Sequence, residues 1–214
     1  MKKNLLVIAG LLITLLLHQN IWAQSWDTGL DIYSGYIWRG TKFGKGPALQ
    51  PSIEFSAGGF ALGAWGSFNA SIDEAAEADL YAVYGFDLKE NLSINLTLTD
   101  YYYPGTSWMQ MDSHYIEPMV NIKIKNLSIT GAYMMNSGKG DTYLEAALSA
   151  GQIDVFLGIG DGAYTVNNKF NVCNIGISTL KNIKITETFT IPLTGILVLN
   201  PSSEQVYIAA GISL

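Results

Sequence analysis

The chain has 214 residues, of which 49% are hydrophobic and only 14% are charged, and its formal net charge is −6. Its apolar content excludes intrinsic disorder, and the few basic residues exclude a nucleic-acid-binding surface. The single cysteine excludes a disulfide framework and a cysteine-based zinc site. What remains is an apolar, weakly charged β protein that is rich in Gly and Tyr, although a typical soluble domain carries about 25% charged residues.

The first 23 residues have the pattern of a secretory signal peptide. Lys2 and Lys3 precede an almost wholly apolar run over residues 5–17, and Ala23 supplies a small residue at a cleavage position. This run of about 13 residues is shorter than the ~20 that a spanning helix needs, so a signal peptide is favoured over an N-terminal anchor. We predict a signal peptide at residues 1–23 and one exported domain at residues 24–214.

Apolar and polar residues then alternate with the two-residue period of β-strands. The alternation runs through residues 26–39, which predict the first strand, and is cleanest over residues 92–99. It recurs along the chain and ends with residues 206–214. The pattern predicts about twelve strands, and helical spacing is absent after the signal peptide.

The segments between the predicted strands alternate between short and long. Tight turns are predicted at 58–59, 89–91, 125–126, 151–152 and 181–182, and longer polar loops at 40–48, 69–77, 104–113, 136–141, 161–168 and 192–204. This layout is typical of outer-membrane barrels, whose termini lie on the short-turn side. The predicted fold is therefore all-β, an antiparallel transmembrane β-barrel of about 12 strands, closed so that no edge strand faces lipid.

The polar faces of the predicted strands resemble a lumen more than a wet exterior. They carry Ser, Thr, Asn, Gly and Tyr with isolated acids, whereas a soluble surface is about 25–35% charged. A secreted β-sandwich or a lipocalin-like barrel is the soluble alternative. The predicted pore-lining residues are Asp31, Arg39, Glu54, Asp79, Tyr81, Tyr101, Tyr103, Glu117, Tyr143, Glu145 and Asp154.

Three aromatic residues share the apolar face of the first predicted strand, and we expect them at the lipid interface: Trp26, Tyr36 and Trp38. At ~3.3 Å per residue and a tilt near ~40°, Trp26 and Trp38 would be about 30 Å apart along the membrane normal. This is close to the ~25 Å apolar band that aromatic girdles flank in such barrels.

Arg39 is the only arginine in the chain. Its guanidinium is expected to neutralise a lumen carboxylate, such as Glu54 on the neighbouring strand, with an anionic solute as the alternative partner. The tyrosines of the polar faces are expected to fill a narrow barrel, and the alternative is a stacking surface for sugars or other flat solutes.

The sequence does not favour an enzyme. After signal removal His114 is the only histidine, and it shares the apolar face of Ile116, so the Ser/His pair that a membrane lipid hydrolase needs is not expected. Cys173 is interpreted as a small apolar residue, since the chain has no second cysteine with which it could pair. We predict no enzymatic activity, no cofactor and no metal.

Several motifs resemble the TorF family of outer-membrane porins. They are YSGYIWRG at residues 33–40 with GPALQ at 46–50, GFALGAWGS at 59–67, and LSINLTLTDYYYPG at 92–105, followed by similar strands around 115–117 and 142–145. The similarity covers most of residues 30–150 in the same order. It implies a small exported barrel, and it supplies neither a substrate nor catalytic residues.

The expected function is passive diffusion of small neutral or cationic solutes through a pore in the bacterial outer membrane, because acids in the lumen repel anions. The expected partners are outer-membrane lipid and small-molecule solutes, without nucleic acid. A non-conducting structural or surface-interaction barrel is the main alternative, and an outer-membrane lipid hydrolase is a weaker one. The solute and the oligomeric state stay open at this point.

Overall fold

A computed structural model describes residues 24–70, 76–136 and 140–214. The predicted signal peptide, and residues 71–75 and 137–139 of two predicted loops, lie outside the described residues. Within the described ranges, twelve antiparallel strands close into one barrel. The predicted all-β barrel and its strand number are confirmed.

The described residues contain fourteen strands, which are numbered here in chain order. They are β1 (Gln24–Tyr33), β2 (Tyr36–Trp38), β3 (Thr41–Phe43), β4 (Ala48–Ala57), β5 (Phe60–Asn69), β6 (Glu77–Lys89), β7 (Leu92–Tyr102), β8 (His114–Ile124), β9 (Leu127–Met134), β10 (Asp141–Ala150), β11 (Ile153–Gly162), β12 (Asn168–Lys184), β13 (Thr190–Asn200) and β14 (Gln205–Ser213). Strand β1 and strands β4 to β14 form the barrel wall, whereas β2 and β3 form a separate two-stranded sheet. A 3-10 turn at Met111–Ser113 precedes β8. In the described part of the chain, no helix is long and apolar enough to cross a membrane.

The two ends of the barrel differ in the length of their connections, as predicted. Short turns lie at the end that holds both chain termini, called here the terminal end, and the first four join strands at 58–59, 90–91, 125–126 and 151–152. At the opposite end, called here the loop end, residues 34–47 and 103–113 form the longest connections that are fully described.

Two predicted boundaries near the C-terminus are wrong. β12 runs through the turn predicted at 181–182 and ends at Lys184, and β13 occupies most of the loop predicted at 192–204. The period of two is hidden in β13 because apolar residues lie on both faces. Leu197 is exposed outward, whereas Val198 is buried inside, and Pro192 and Gly195 resemble loop residues.

The wall carries its apolar side chains on the outside. Leu62, Leu80 and Leu98 are each about half exposed, and each alternates with an inward polar or small residue such as Asp79. Exposed leucines and isoleucines are unfavourable in water, but contact with lipid removes this cost. A closed ladder with an apolar exterior is the architecture that lets strands cross a bilayer.

The first predicted strand, over residues 26–39, is wrong in its second half. β1 ends at Tyr33, the chain bends at Ser34 and Gly35, and β2 and β3 then form a short hairpin. The alternation continues across this bend because the apolar Tyr36 and Trp38 keep the parity of β1. The hairpin of residues 36–43, called here the lumen hairpin, folds into the barrel, and its contacts form the candidate site.

Candidate functional site

The tip of the lumen hairpin is a two-residue turn made by Arg39 and Gly40. Trp38 pairs with Thr41, and the φ angles of Arg39 and Gly40 are 47° and 85°. Positive φ at both central residues is the requirement of a type I′ turn, for which Asn-Gly is the usual sequence. Arginine in this left-handed region costs about 1–2 kcal/mol, so the side-chain contacts of Arg39 hold an unfavourable backbone conformation.

Arg39 forms an ion pair with Glu117 of β8 across the lumen. The terminal guanidinium nitrogens Nη1 and Nη2 both donate to this carboxylate, with Arg39 Nη2 2.8 Å from Glu117 Oε1. The Glu117 side chain is 1% exposed, and β8 lies five strands from β1 around the wall. Burial lowers the pKa of Arg39, but the hydrogen bond and the charge of Glu117 raise it further, and the net shift is upward. The pair is therefore buried and bidentate, the geometry in which arginine binds carboxylates most specifically.

Aromatic rings surround the guanidinium. Its central carbon lies 4.5 Å from the ring centroid of Trp38 and 4.5 Å from that of Tyr143. Arg39 Nη1 also donates to the hydroxyl of Tyr164 at 2.7 Å, while the hydroxyl of Tyr101 donates to Glu117. Cation–π contacts in a desolvated setting stabilise a buried arginine in addition to its ion pair.

The predicted lipid-interface position of Trp38 is wrong. Its ring packs inside the barrel, 5.7 Å from the ring centroids of both Tyr101 and Tyr164, beside a buried cluster that includes Tyr143 and Cys173. The reason is the bend after β1, because it carries the apolar face of the hairpin into the lumen.

Tyr36 is also misplaced by the sequence prediction. Its ring packs 5.5 Å from that of Trp65, an inward residue of β5, and its hydroxyl donates to Glu77 at 3.5 Å. Burial, followed by the nearby Glu77 and Asp79 charges, raises the pKa of Tyr36 above its ordinary value. Trp26, by contrast, is 71% exposed on the outer face and packs beside Phe55.

The backbone of the hairpin tip rests on two other wall strands. Asn200 of β13 donates its side-chain amide to the carbonyl oxygen of Gly40 at 3.0 Å. A Cβ atom on Gly40 would lie 1.9 Å from the carbonyl oxygen of Cys173 in β12. Only glycine allows both this approach and the positive φ. The tip thus touches β12 and β13 through its backbone, while the Arg39 side chain reaches β8.

The predicted pairing of Arg39 with Glu54 is wrong. The carboxylate of Glu54 instead accepts a hydrogen bond from the hydroxyl of Tyr81 at 2.9 Å. Arg39 is carried by the hairpin and not by the wall strand next to β4, so it reaches Glu117 on a distant strand. Neutralisation of Arg39 by a carboxylate was the expectation, and only the identity of the carboxylate differs.

The other predicted lining residues all lie on inward register positions or pack against inward residues. Glu145 accepts hydrogen bonds from Tyr143 and from Asn174. Asp79 is buried on the inward face of β6, and the ring of Tyr103 packs 5.7 Å from that of Tyr115. Asp31 and Asp154 share inward positions with their strand partners Gln50 and Ser178.

Sequence reasoning missed several residues of the site: Trp65, Tyr164, Cys173, Asn174 and Asn200. Tyr164 lies in a segment predicted to be a polar loop, and its only signal is an aromatic residue in polar surroundings. Cys173 is the extra residue at a break in the register between β11 and β12, and Asn174 follows it directly; a regular alternation does not predict this break.

His114 lies on the outer face, as its parity with Ile116 predicts. Its ring nitrogens contact the carboxylate of Asp100 at 2.8 Å and the carbonyl oxygen of Trp108 at 2.8 Å. A hydroxyl nucleophile is not among these partners. Among residues 24–70, 76–136 and 140–214, no group of three or more His, Cys, Asp or Glu side chains is placed to hold a metal ion.

Comparison with known proteins shows the family to which this chain belongs. The model of a bacterial protein family of unknown function, Gcw_chp, matches residues 24–180. The chain belongs to the Gcw_chp family. The lumen hairpin and all but the last two wall strands of this Gcw_chp barrel lie largely inside the matched region. The resemblance to the TorF family stays a prediction, since the matching model is that of Gcw_chp.

No curated protein matches the sequence. Among solved structures, the Gcw_chp chain is similar to a KdgM porin in complex with disordered oligogalacturonate. The two chains are 10% identical, the match covers 89% of this chain and 98% of the porin chain, and the TM-score is 0.49.

Proposed function

We propose that this protein spans the bacterial outer membrane as a narrow channel for small neutral or cationic solutes. The observation that carries the proposal is the closed twelve-stranded barrel with an apolar exterior and an acid-rich interior. The predicted signal peptide supports export. An apolar exterior suits lipid, and a closed ladder has no edge to expose to it.

The lining of the lumen supports the preference for cations. At the terminal end and in the middle of the barrel, inward positions carry the acids Asp27, Glu54, Asp87, Glu145 and Asp154. Lys123 of β8 is a basic residue on the same face. An excess of carboxylates in a narrow lumen raises the local concentration of cations and repels anions.

The lumen hairpin supports a small bore. It bridges the lumen from the end of β1 to β8, β12 and β13, and it leaves both Glu117 and Tyr143 with side chains that are almost fully buried. Solutes can therefore cross only through the space beside the hairpin, or after the hairpin has moved out of the lumen. Either route restricts passage to small molecules.

Planar-bilayer recording of the refolded barrel tests the proposal. We expect small single-channel currents, with a reversal potential in a KCl gradient that indicates cation preference. A Glu54→Gln, Asp154→Asn double variant should lose part of this preference, whereas Asp112→Asn, in the loop between β7 and β8, should retain it. Anion selectivity, or silence of both the wild type and a variant without the hairpin, contradicts the channel.

One observation favours a second candidate, a non-conducting structural or surface-interaction barrel. The hairpin bridges the lumen at the level of Arg39, because it contacts β8 on one side and β13 on the other. In this case a stable plug would be the permanent state of the protein. Removal of the hairpin would then create conductance that the wild type never shows.

A further inference from the structure

We propose that the lumen hairpin is a movable gate, latched in its closed position by the Arg39–Glu117 ion pair. The inference rests on the proposed channel function, because a gate has meaning only for a conducting lumen. Beyond that function, it identifies the lumen hairpin as the moving segment and the Arg39–Glu117 ion pair as the contact that holds it closed.

The hairpin can leave the lumen without disturbing the wall. Its strands β2 and β3 pair with each other, and the barrel ladder closes without them, since β1 pairs directly with β4 and β14. Its described links to the wall are side-chain contacts with β5, β6, β7, β8 and β10, one hydrogen bond from Asn200 of β13 to the carbonyl oxygen of Gly40, and a close backbone approach of Gly40 to β12. Outward movement therefore breaks no β ladder, and the hairpin keeps its own pairing.

The moving segment is delimited on both sides by anchored residues next to glycines. Ser34 is tied to Ala210 by two hydrogen bonds of 2.8 and 3.0 Å, and Gly35 follows it. On the other side Gly46 is tied to Asn69 by two hydrogen bonds of 3.2 and 3.3 Å, and Gly44 precedes it with a φ of 71°. Glycine beside a fixed point is well suited to absorb the backbone rotations of a hinge.

The closed and open states of the hairpin are close in free energy, because the closed state combines favourable contacts with unfavourable ones. Arg39 and Glu117 are both removed from water, and the backbone of Arg39 is held in the left-handed region. The mutual attraction of a buried pair is largely offset by the loss of hydration. In the open state both charges regain water in a polar lumen and the turn is free to relax. The balance between the two states therefore depends on the pair remaining complete.

Removal of one partner shifts this balance strongly towards the open state. A single charge left in the closed lumen has neither water nor a counter-charge, and this arrangement is far less favourable than an intact pair. Arg39→Ala and Glu117→Gln act on opposite members of the pair, so both variants should open the hairpin.

Cys173 reports the position of the hairpin. It is the only cysteine of the chain and 0% exposed, and its backbone lies directly beneath Gly40. The aromatic cluster around it includes Trp38 of the hairpin. When the hairpin moves outward, Trp38 and Gly40 leave, and the thiol becomes accessible from the lumen.

The test is the rate at which Cys173 of the folded barrel reacts with a small cationic methanethiosulfonate reagent. We expect slow modification of the wild type and at least a tenfold faster rate in Arg39→Ala and in Glu117→Gln. Lys42→Ala, on the same hairpin, is the matched control and should react at the wild-type rate. Heat-modifiable gel migration restricts the comparison to folded protein, so an unfolded variant does not count as an opened one.

Uniformly slow modification of folded wild type and both latch variants overturns the gate. The rate of Cys173 modification tests the gate and the conductance tests the channel, so the two proposals can fail separately. Conductance with uniformly slow modification contradicts the gate and leaves the channel, whereas faster modification in latch variants that never conduct supports hairpin movement and contradicts the channel. Faster modification together with a higher open probability supports both.

Discussion

The barrel wall and the lumen hairpin have the same alternating pattern of apolar and polar residues but use it in opposite ways. In the wall, apolar residues such as Leu80 and Leu98 face outward, and the backbone is paired with both neighbouring strands. In the hairpin, the apolar Tyr36 and Trp38 face protein inside the lumen. An alternating pattern therefore identifies a strand with two different faces, but not what each face contacts.

The two regions also differ in how they are held. In the wall, every strand of a closed ladder pairs with two neighbours. Opening this ladder would leave backbone groups unpaired, which is very costly. The hairpin is held by one buried ion pair, ring contacts and a few hydrogen bonds. Changes in the hairpin should therefore alter permeation while the barrel persists.

The largest effect is expected from removal of residues 35–45 and their replacement by two glycines. Tyr33 and Ala48 are strand partners at the loop end, so a short link can join β1 to β4. We expect single-channel conductance to rise severalfold, measured in planar bilayers. Heat-modifiable migration should stay unchanged, and a loss of the folded band would contradict the independence of wall and hairpin.

The next largest effect concerns the ion pair. Breaking a buried pair by removal of one partner costs about 3–5 kcal/mol, whereas an apolar replacement of both partners is often neutral. We expect Arg39→Met with Glu117→Leu to keep Cys173 as slowly reactive as in the wild type, while Arg39→Met alone reacts quickly. Equal rates in the single and double variants would show that charge pairing is not what holds the tip.

A smaller effect is expected for Gly40→Ala. The new Cβ meets the carbonyl oxygen of Cys173 at 1.9 Å, so the tip has to lift. Gly105→Ala is the control, because Gly105 also has a positive φ of 106° but nothing lies within 4 Å of its added Cβ. Both variants share the backbone strain of about 1 kcal/mol, and only Gly40→Ala should accelerate modification of Cys173.

The smallest effect is expected in tryptophan fluorescence, and it tests the inside–outside comparison directly. Brominated lipids quench tryptophans at the barrel exterior. Trp26→Phe should remove part of this quenching, because Trp26 is 71% exposed on the outer face. Trp38→Phe should leave the quenched component unchanged, and a loss of quenching in this variant would place Trp38 at lipid instead of in the lumen.

Much of the wall was predictable from the sequence because strand period, turn residues and low charge all act locally. The twelve strands and the difference between the two ends follow from these signals. The end of β12 and the extent of β13 were not predictable from these signals. In β13 the inward face, which the pattern expects to be polar, carries the apolar Val198. The inward positions of Glu54, Glu117 and Glu145 follow from parity alone.

The candidate site was predictable only in its residue types. The sequence identifies Arg39 as the only arginine and predicts that a lumen acid neutralises it, but it predicts a partner one strand away, whereas Glu117 lies across the lumen. Tyr164 and Asn200, which lie 125 and 161 positions after Arg39 in the chain, carry no local sign that they meet the same hairpin.

By itself, the sequence determined the strands, their two faces and the closed barrel, because backbone pairing and the side-chain period of two are local properties. Only the tertiary structure decided that residues 36–43 leave the wall and enter the lumen. That outcome depends on long-range contacts of Arg39 with Glu117 and of Gly40 with Asn200 and Cys173. A bend of two residues after Tyr33 moves two aromatic rings from the expected outer face of the barrel into its lumen, without any change in the pattern that the sequence displays.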